Sequence, residues 1–176
     1  MSTRNLFHVA AVLATLLPAT ATLAEGPNLG RPVNPADLAA WDISVHPDGS
    51  GLPPGSGTAA QGAAIYAKKC EACHGPNGKG GSSLALVGGG PLDRMEAPKT
   101  IANFWPYSTT LFDYIRRAMP WTQPRTLSNE EVYALTAYIL AENKIIAAGE
   151  VMNAASLPKV RMPNRDNFII RFPDKI

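Results

Sequence analysis

Two thiols three residues apart with an imidazole directly behind them, Cys70-Glu71-Ala72-Cys73-His74, restrict this chain more than any other stretch. On a helical turn residues three apart share a face, so Cys70 and Cys73 can each form a thioether to one of the two vinyl groups of a haem. His74 then stands beside the porphyrin and can offer a ring nitrogen to the iron. No other cysteine competes for the role, since the chain contains 2. A redox disulfide between them is one alternative, and it wants a preceding strand in a βαβ setting that the sequence does not show. Half of a zinc site is another. It needs about four Cys or His ligands, and besides His74 the sequence offers His8 and His46. The pattern predicts one covalently attached haem c, held at Cys70 and Cys73 and ligated by His74.

Residues 1–24 read as a secretory signal. Arg4 is the lone charge, residues 9–17 are almost wholly apolar, and Ala19-Thr20-Ala21 and Thr22-Leu23-Ala24 offer small residues for cleavage. Cleavage is expected after Ala24, where polar sequence begins at Glu25. The alternative is an uncleaved anchor, but the apolar core falls short of the ~20 residues a span requires, and Pro18 interrupts it. No later segment approaches that length, so no membrane span is expected in the mature chain. Covalent haem attachment in bacteria takes place outside the cytoplasm, which places the expected product in the periplasm.

A formal net charge of +2 excludes a field that would gather nucleic acid or an anionic membrane. The 16 prolines and 15 glycines gather outside the helical patterns, which predicts a helical core wrapped by ordered loops. Trp41, Trp105 and Trp121, with the Phe and Ile content, argue against wholesale disorder.

Residues 25–57 read as an N-terminal extension, with a short helix begun by Asn34-Pro35-Ala36-Asp37 and ending near Trp41. His46-Pro47-Asp48-Gly49 and Pro53-Pro54-Gly55-Ser56-Gly57 are turn clusters. The haem-bearing domain is expected over 58–143. Its first helix runs over 58–73 and carries Gly62, Tyr66, Cys70 and Cys73 as one stripe. Residues 75–99 form a long loop at the haem edge. A second helix starts at Thr109 or Thr110 and stops at Met119, because Pro120 drives the residue before it out of helical geometry. In the third, Ser128 and Glu131 form a capping box and Leu127 with Val132 a hydrophobic staple; Val132, Leu135, Tyr138 and Ile139 make its apolar stripe. Residues 144–176 are a C-terminal extension, including a strand-like apolar run over 168–172.

A sixth iron ligand must come from elsewhere. A Met/His pair suits an electron carrier, because thioether ligation raises the potential. Met119 is the candidate, at a helix end where an extended backbone turns the sulfur back. Met95, Met152 and Met162 are its competitors, and His46 would give a bis-His iron of lower potential. Core packing is the ordinary role of any single methionine.

Gly62-x-x-x-Tyr66-x-x-x-Cys70, the haem motif, Met119-Pro120 and Leu135-x-x-Tyr138 together resemble the class I cytochromes c. That resemblance implies an all-α fold, three core helices around one haem, with Gly62 at a helix crossing against Leu135 and Tyr138. Further strings resemble a narrower branch: Gly30-Arg31-Pro32, Trp41-Asp42-Ile43, Trp105-Pro106-Tyr107, Phe112-Asp113-Tyr114-Ile115-Arg116-Arg117-Ala118-Met119-Pro120 and Met162-Pro163-Asn164-Arg165-Asp166. The branch is that of the cytochrome subunits of Sox sulfane dehydrogenases. It implies a periplasmic partner to a molybdenum-cofactor dehydrogenase subunit oxidising sulfane sulfur or sulfite, with electrons passed to a downstream cytochrome c or oxidase. The alternative is a free cytochrome shuttle to a terminal oxidase. No general acid/base pair or Ser/His/Asp arrangement points to catalysis by the chain itself. Asp113 is expected at the surface and Tyr114 in the core, and Lys68, Lys69, Lys79, Arg116 and Arg117 are candidates to frame the haem edge.

Overall fold

The computed structural model describes Gly26 and residues 29–168. The expected signal sequence, its cleavage point and the apolar run beyond Phe168 lie outside the described residues.

The short helix α1, Pro35–Trp41, begins where the sequence places it. Asn34 accepts from the Asp37 amide at 2.9 Å, and proline occupies the first helical position. Residues from Trp41 onward form a single unit and are built on two crossing helices. Helix α2, Ala59–Lys69, opens with a capping box in which the Thr58 hydroxyl accepts from the Gln61 amide and the Gln61 side chain accepts from the Thr58 amide. The expected continuous helix to Cys73 is broken at Cys70, whose φ of −126° is not helical. A separate turn, α3, spans Glu71–His74.

Helix α4, Ser108–Ala118, starts one or two residues ahead of the expected boundary and stops where Pro120 dictates, with Met119 in extended backbone at φ −118°, ψ 145°. Helix α5, Asn129–Glu142, carries the expected capping box, Ser128 with Glu131. The apolar stripe foreseen for α5 proves too narrow a description: residues 132–140 are all buried. The C-terminus of α5 closes in a Schellman pattern, the Ile145 amide bonding Leu140 and the Lys144 amide Ala141. Lys144 takes the left-handed position usually given to glycine, with φ 58°.

What surrounds α5 explains its burial. Helix α2 crosses it with Gly62 at the contact, where an added Cβ would lie 2.0 Å from the Ala134 carbonyl oxygen and 2.6 Å from the Tyr138 Cβ. The nearest atoms thus belong to Tyr138, as the resemblance implied, and to Ala134, one residue before the Leu135 it named. Tyr66, one turn on, packs its ring 4.9 Å from that of Tyr138. On another side lies a feature absent from the all-α expectation. Strand β1, Ser56–Thr58, pairs antiparallel with β2, Val151–Asn153, in the register Gly57 to Met152. Gly57 must also lack a side chain, since a Cβ would meet the Ala134 amide nitrogen at 2.3 Å.

The flanking segments are sealed into the same core. Met152, Leu157 and Met162 are at most 1% exposed and belong to its main cluster. Ser108 Oγ donates to the Leu157 carbonyl at 2.6 Å, and Tyr133 Oη to that of Pro53 at 2.8 Å. Of the tryptophans weighed against disorder, only Trp105 packs on the core; Trp41 and Trp121 are each 79% exposed.

Candidate functional site

The structure places Cys70, Cys73 and His74 on one turn. The amides of Cys73 and His74 both bond the Cys70 carbonyl, at 3.1 and 3.0 Å. Both thiols are free, Cys70 half-buried and Cys73 exposed. Burial pushes the Cys70 thiol up to about 11, with the neighbouring Cys73 acting in the same direction. The kink at Cys70 ends α2 and leaves the motif on its own short helix. Tyr66 ties the two together, its Oη donating 2.9 Å to the Gly75 carbonyl just past the motif.

His74 Nδ1 lies 2.9 Å from the Leu84 carbonyl oxygen. A carbonyl only accepts, so Nδ1 carries the hydrogen and the lone pair resides on Nε2. That tautomer leaves Nε2 as the metal-facing nitrogen, with its orientation and basicity set by the Nδ1 bond. Leu84 has no signature as an acceptor, because a backbone carbonyl belongs to every residue.

The four methionines separate cleanly. Met95 is 87% exposed on the glycine-rich loop. Met152 and Met162 are each 1% exposed and belong to the core cluster. Met119 is half-buried, held at the end of α4, and packs against the same cluster as Cys70. His46 sits exposed in the turn it was expected to form, closed by its amide bond to the Ser50 carbonyl. Two free thiols, an imidazole with Nε2 unengaged and a half-buried thioether are the types of group that suit a c-type haem. Among the described residues no group of three or more His, Cys, Asp and Glu is placed to hold a metal ion. The redox-disulfide alternative lacks its βαβ frame, as the two strands are antiparallel.

Three of the five cations expected at the haem edge have partners within the fold. Lys69 pairs with Glu131 at 2.7 Å, linking α2 to the cap of α5. Arg117 grips Asp113 through two hydrogen bonds, of 2.8 and 3.0 Å, and reaches Ser44. Arg116 donates to the Ile43 carbonyl at 3.4 Å. These three charges fasten elements together, leaving Lys68 and Lys79 exposed. Tyr114, expected in the core, is 48% exposed with its ring edge-on to Trp105, while Asp113, expected at the surface, is half-buried in its ion pair.

Comparison with known proteins agrees with this geometry. Residues 57–139 match the family described as cytochrome C oxidase, cbb3-type, subunit III. Fold and site together define an electron-transferring c-type cytochrome of class I fold, its haem c covalently bound. The crystal structure of the sulfane dehydrogenase SoxCD from Paracoccus pantotrophus contains a chain 39% identical to this one. The match covers 84% of this chain and 72% of that one, with a TM-score of 0.76. The chain belongs to the family of Sox-type cytochrome subunits. No curated protein matches the sequence.

Proposed function

We propose that this chain is a periplasmic cytochrome carrying one haem c, which Cys70 and Cys73 would bind covalently and whose iron His74 and Met119 would ligate. It accepts electrons from a molybdenum-cofactor subunit that oxidises sulfane sulfur or sulfite, and passes them to a downstream cytochrome c or oxidase. The observation that carries the reading is the likeness to the SoxCD chain, which extends over 84% of this sequence and so well beyond the cytochrome stretch. Among the described residues no helix is long and apolar enough to cross a membrane.

When bound, the haem supplies a one-electron couple. The chain's own residues set its terms. Cys70 and Cys73 fix the porphyrin to a turn anchored through Tyr66. His74 holds its proton at Nδ1 and keeps Nε2 for the iron. The extended backbone at Met119 sets the thioether off the end of α4, and a thioether ligand favours Fe(II) and a higher potential.

The test uses the full complex. Affinity isolation from the native periplasm should bring down molybdenum with the haem protein. Addition of sulfite, thiosulfate or sulfane-loaded carrier protein should then reduce the haem only when the partner is present. A lone haem protein, inert to all three and rapidly oxidised by a terminal oxidase, would establish the free shuttle instead. Haem that extracts into acid acetone would refute attachment at Cys70 and Cys73. Met119→Ala should abolish the near-infrared sulfur-to-iron band; retention of that band would return the role to another methionine.

A further inference from the structure

The Leu84 carbonyl that engages His74 belongs to a loop with no helix or strand to hold it. Three backbone bonds locate it partly: the Ser83 amide to the Cys73 carbonyl at 2.9 Å, and the Leu86 and Val87 amides to the Gly78 carbonyl at 2.9 and 3.3 Å. A further tether is a side chain from the far end of α5. Asn143 Nδ2 donates to the Leu86 carbonyl at 3.1 Å, and its Oδ1 accepts from the Gly88 amide at 2.9 Å. Nδ2 also donates to the Ile139 carbonyl at 2.9 Å, which fixes the amide on its own helix. The orientation is unambiguous, because a flipped amide would set its oxygen against two carbonyls.

Leu86 is thereby held at both ends of its backbone, two residues from Leu84. The Gly88 peptide is held likewise, its amide by Asn143 and its carbonyl by the Thr100 hydroxyl. Asn143 itself caps α5, whose last buried turn gives it a rigid base. We infer that Asn143 is a positioning residue for the His74 imidazole, acting through the 86–88 backbone to fix the Leu84 carbonyl against Nδ1–H. A firm Nδ1–H···O bond makes the imidazole a better donor through Nε2. The greater donation stabilises Fe(III). This rests on His74 as the proximal ligand.

The experiment reads the holoprotein by NMR and by redox titration. In Asn143→Ala, exchange of the His74 Nδ1–H with solvent should quicken by roughly tenfold, as local opening of the loop becomes easier. The midpoint potential should rise. Tyr133→Phe, which removes the bond to Pro53 on another part of α5, should lower the melting temperature and leave both readings unchanged. If Asn143→Ala fails to fold, Asn143→Asp keeps the acceptor for Gly88 and loses the donor to Leu86; there exchange alone is read, since the added charge moves the potential by itself. A lower melting temperature with parental exchange and potential in Asn143→Ala, or parental exchange in Asn143→Asp, overturns the inference. Absence of iron-shifted His74 signals in the parent protein would instead refute the ligand assignment.

Discussion

The crossing of α2 with α5 and the loop over residues 75–99 are both essential to the site, yet they are held by different forces. At the crossing, Gly62 and Gly57 let two backbones close on Ala134, and aromatic rings fill the rest. The loop has little apolar material to pack. Val87 and Ala97 are buried, but Leu84 and Met95 are more than 80% exposed. Its shape comes from side chains bonded to backbone: Asn143 to Leu86 and Gly88, Thr100 to Gly88, and Asn103 to the carbonyls of Gly90 and Pro98 at 3.0 and 2.9 Å. Packing fails globally when a contact is overfilled. A tethered loop fails locally.

Gly62→Val should have the largest effect. Its branched side chain would have to displace a carbonyl that already stands 2.0 Å from where Cβ would be. A loss of about 3 kcal/mol or more is expected, seen as lost helical circular dichroism and little haem incorporation. Next comes a pair of methionines. Met162→Ala should cost about 2–5 kcal/mol by leaving a cavity, whereas Met95→Ala should stay within about 0.5 kcal/mol. Equal effects of the two in denaturant titrations would erase the contrast between the regions. Thr100→Val should cost about 1–2 kcal/mol, with faster amide exchange at Gly88 and none at Leu135.

The smallest effect is one of pH. Lys69 and then the Ser128 amide hold the Glu131 carboxyl below its ordinary value of 4.5. A carboxylate favoured by the fold stabilises above its unfolded pKa and loses that contribution as pH falls through the folded value. The melting-temperature difference between the parent and Glu131→Gln should therefore hold from pH 7 to about 5 and shrink below about 4.5. The alkaline side mirrors it. Burial pushes the Tyr66 phenol up from 10.0 to about 12, so its neutral form stabilises the fold below pH 10 and that contribution disappears as pH rises towards 12.

The same contrast decides what could be read from sequence. The end of α4 was legible because Pro120 imposes it, and the start of α5 because Ser128 and Glu131 carry a capping pattern. Thr58 with Gln61 carries one too, and fixes the start of α2 one residue later than expected. The break at Cys70 had no such mark. Neither did the pairing of β1 with β2, since three residues at each end of a long separation make no periodic pattern. In the site, the three residues of the motif share one turn and Met119 stands half-buried at the end of α4. The carbonyl of Leu84 and the amide of Asn143 did not show, because tethering depends on which backbone groups the fold brings near. The cations misled for the same reason: Lys69 and Arg117 look like free charges until their partners on other turns are seen.

The pairing of Gly57 with Met152 closes a ring of roughly 95 residues around nearly everything that makes the site. Closing so long a ring costs about 4 kcal/mol of chain entropy, more than three residue pairs return. The clasp therefore cannot form first. It must wait until α2 and α5 have docked and brought its halves together, and until the chain has been made at least to Asn153. A polypeptide growing from its N-terminus thus passes through a stage in which Cys70 and Cys73 are present and the ring is still open. Attachment chemistry can reach the motif during that stage. Native-state exchange should keep its trace, with the amides of Gly57 and Met152 opening well before those of residues 135–140.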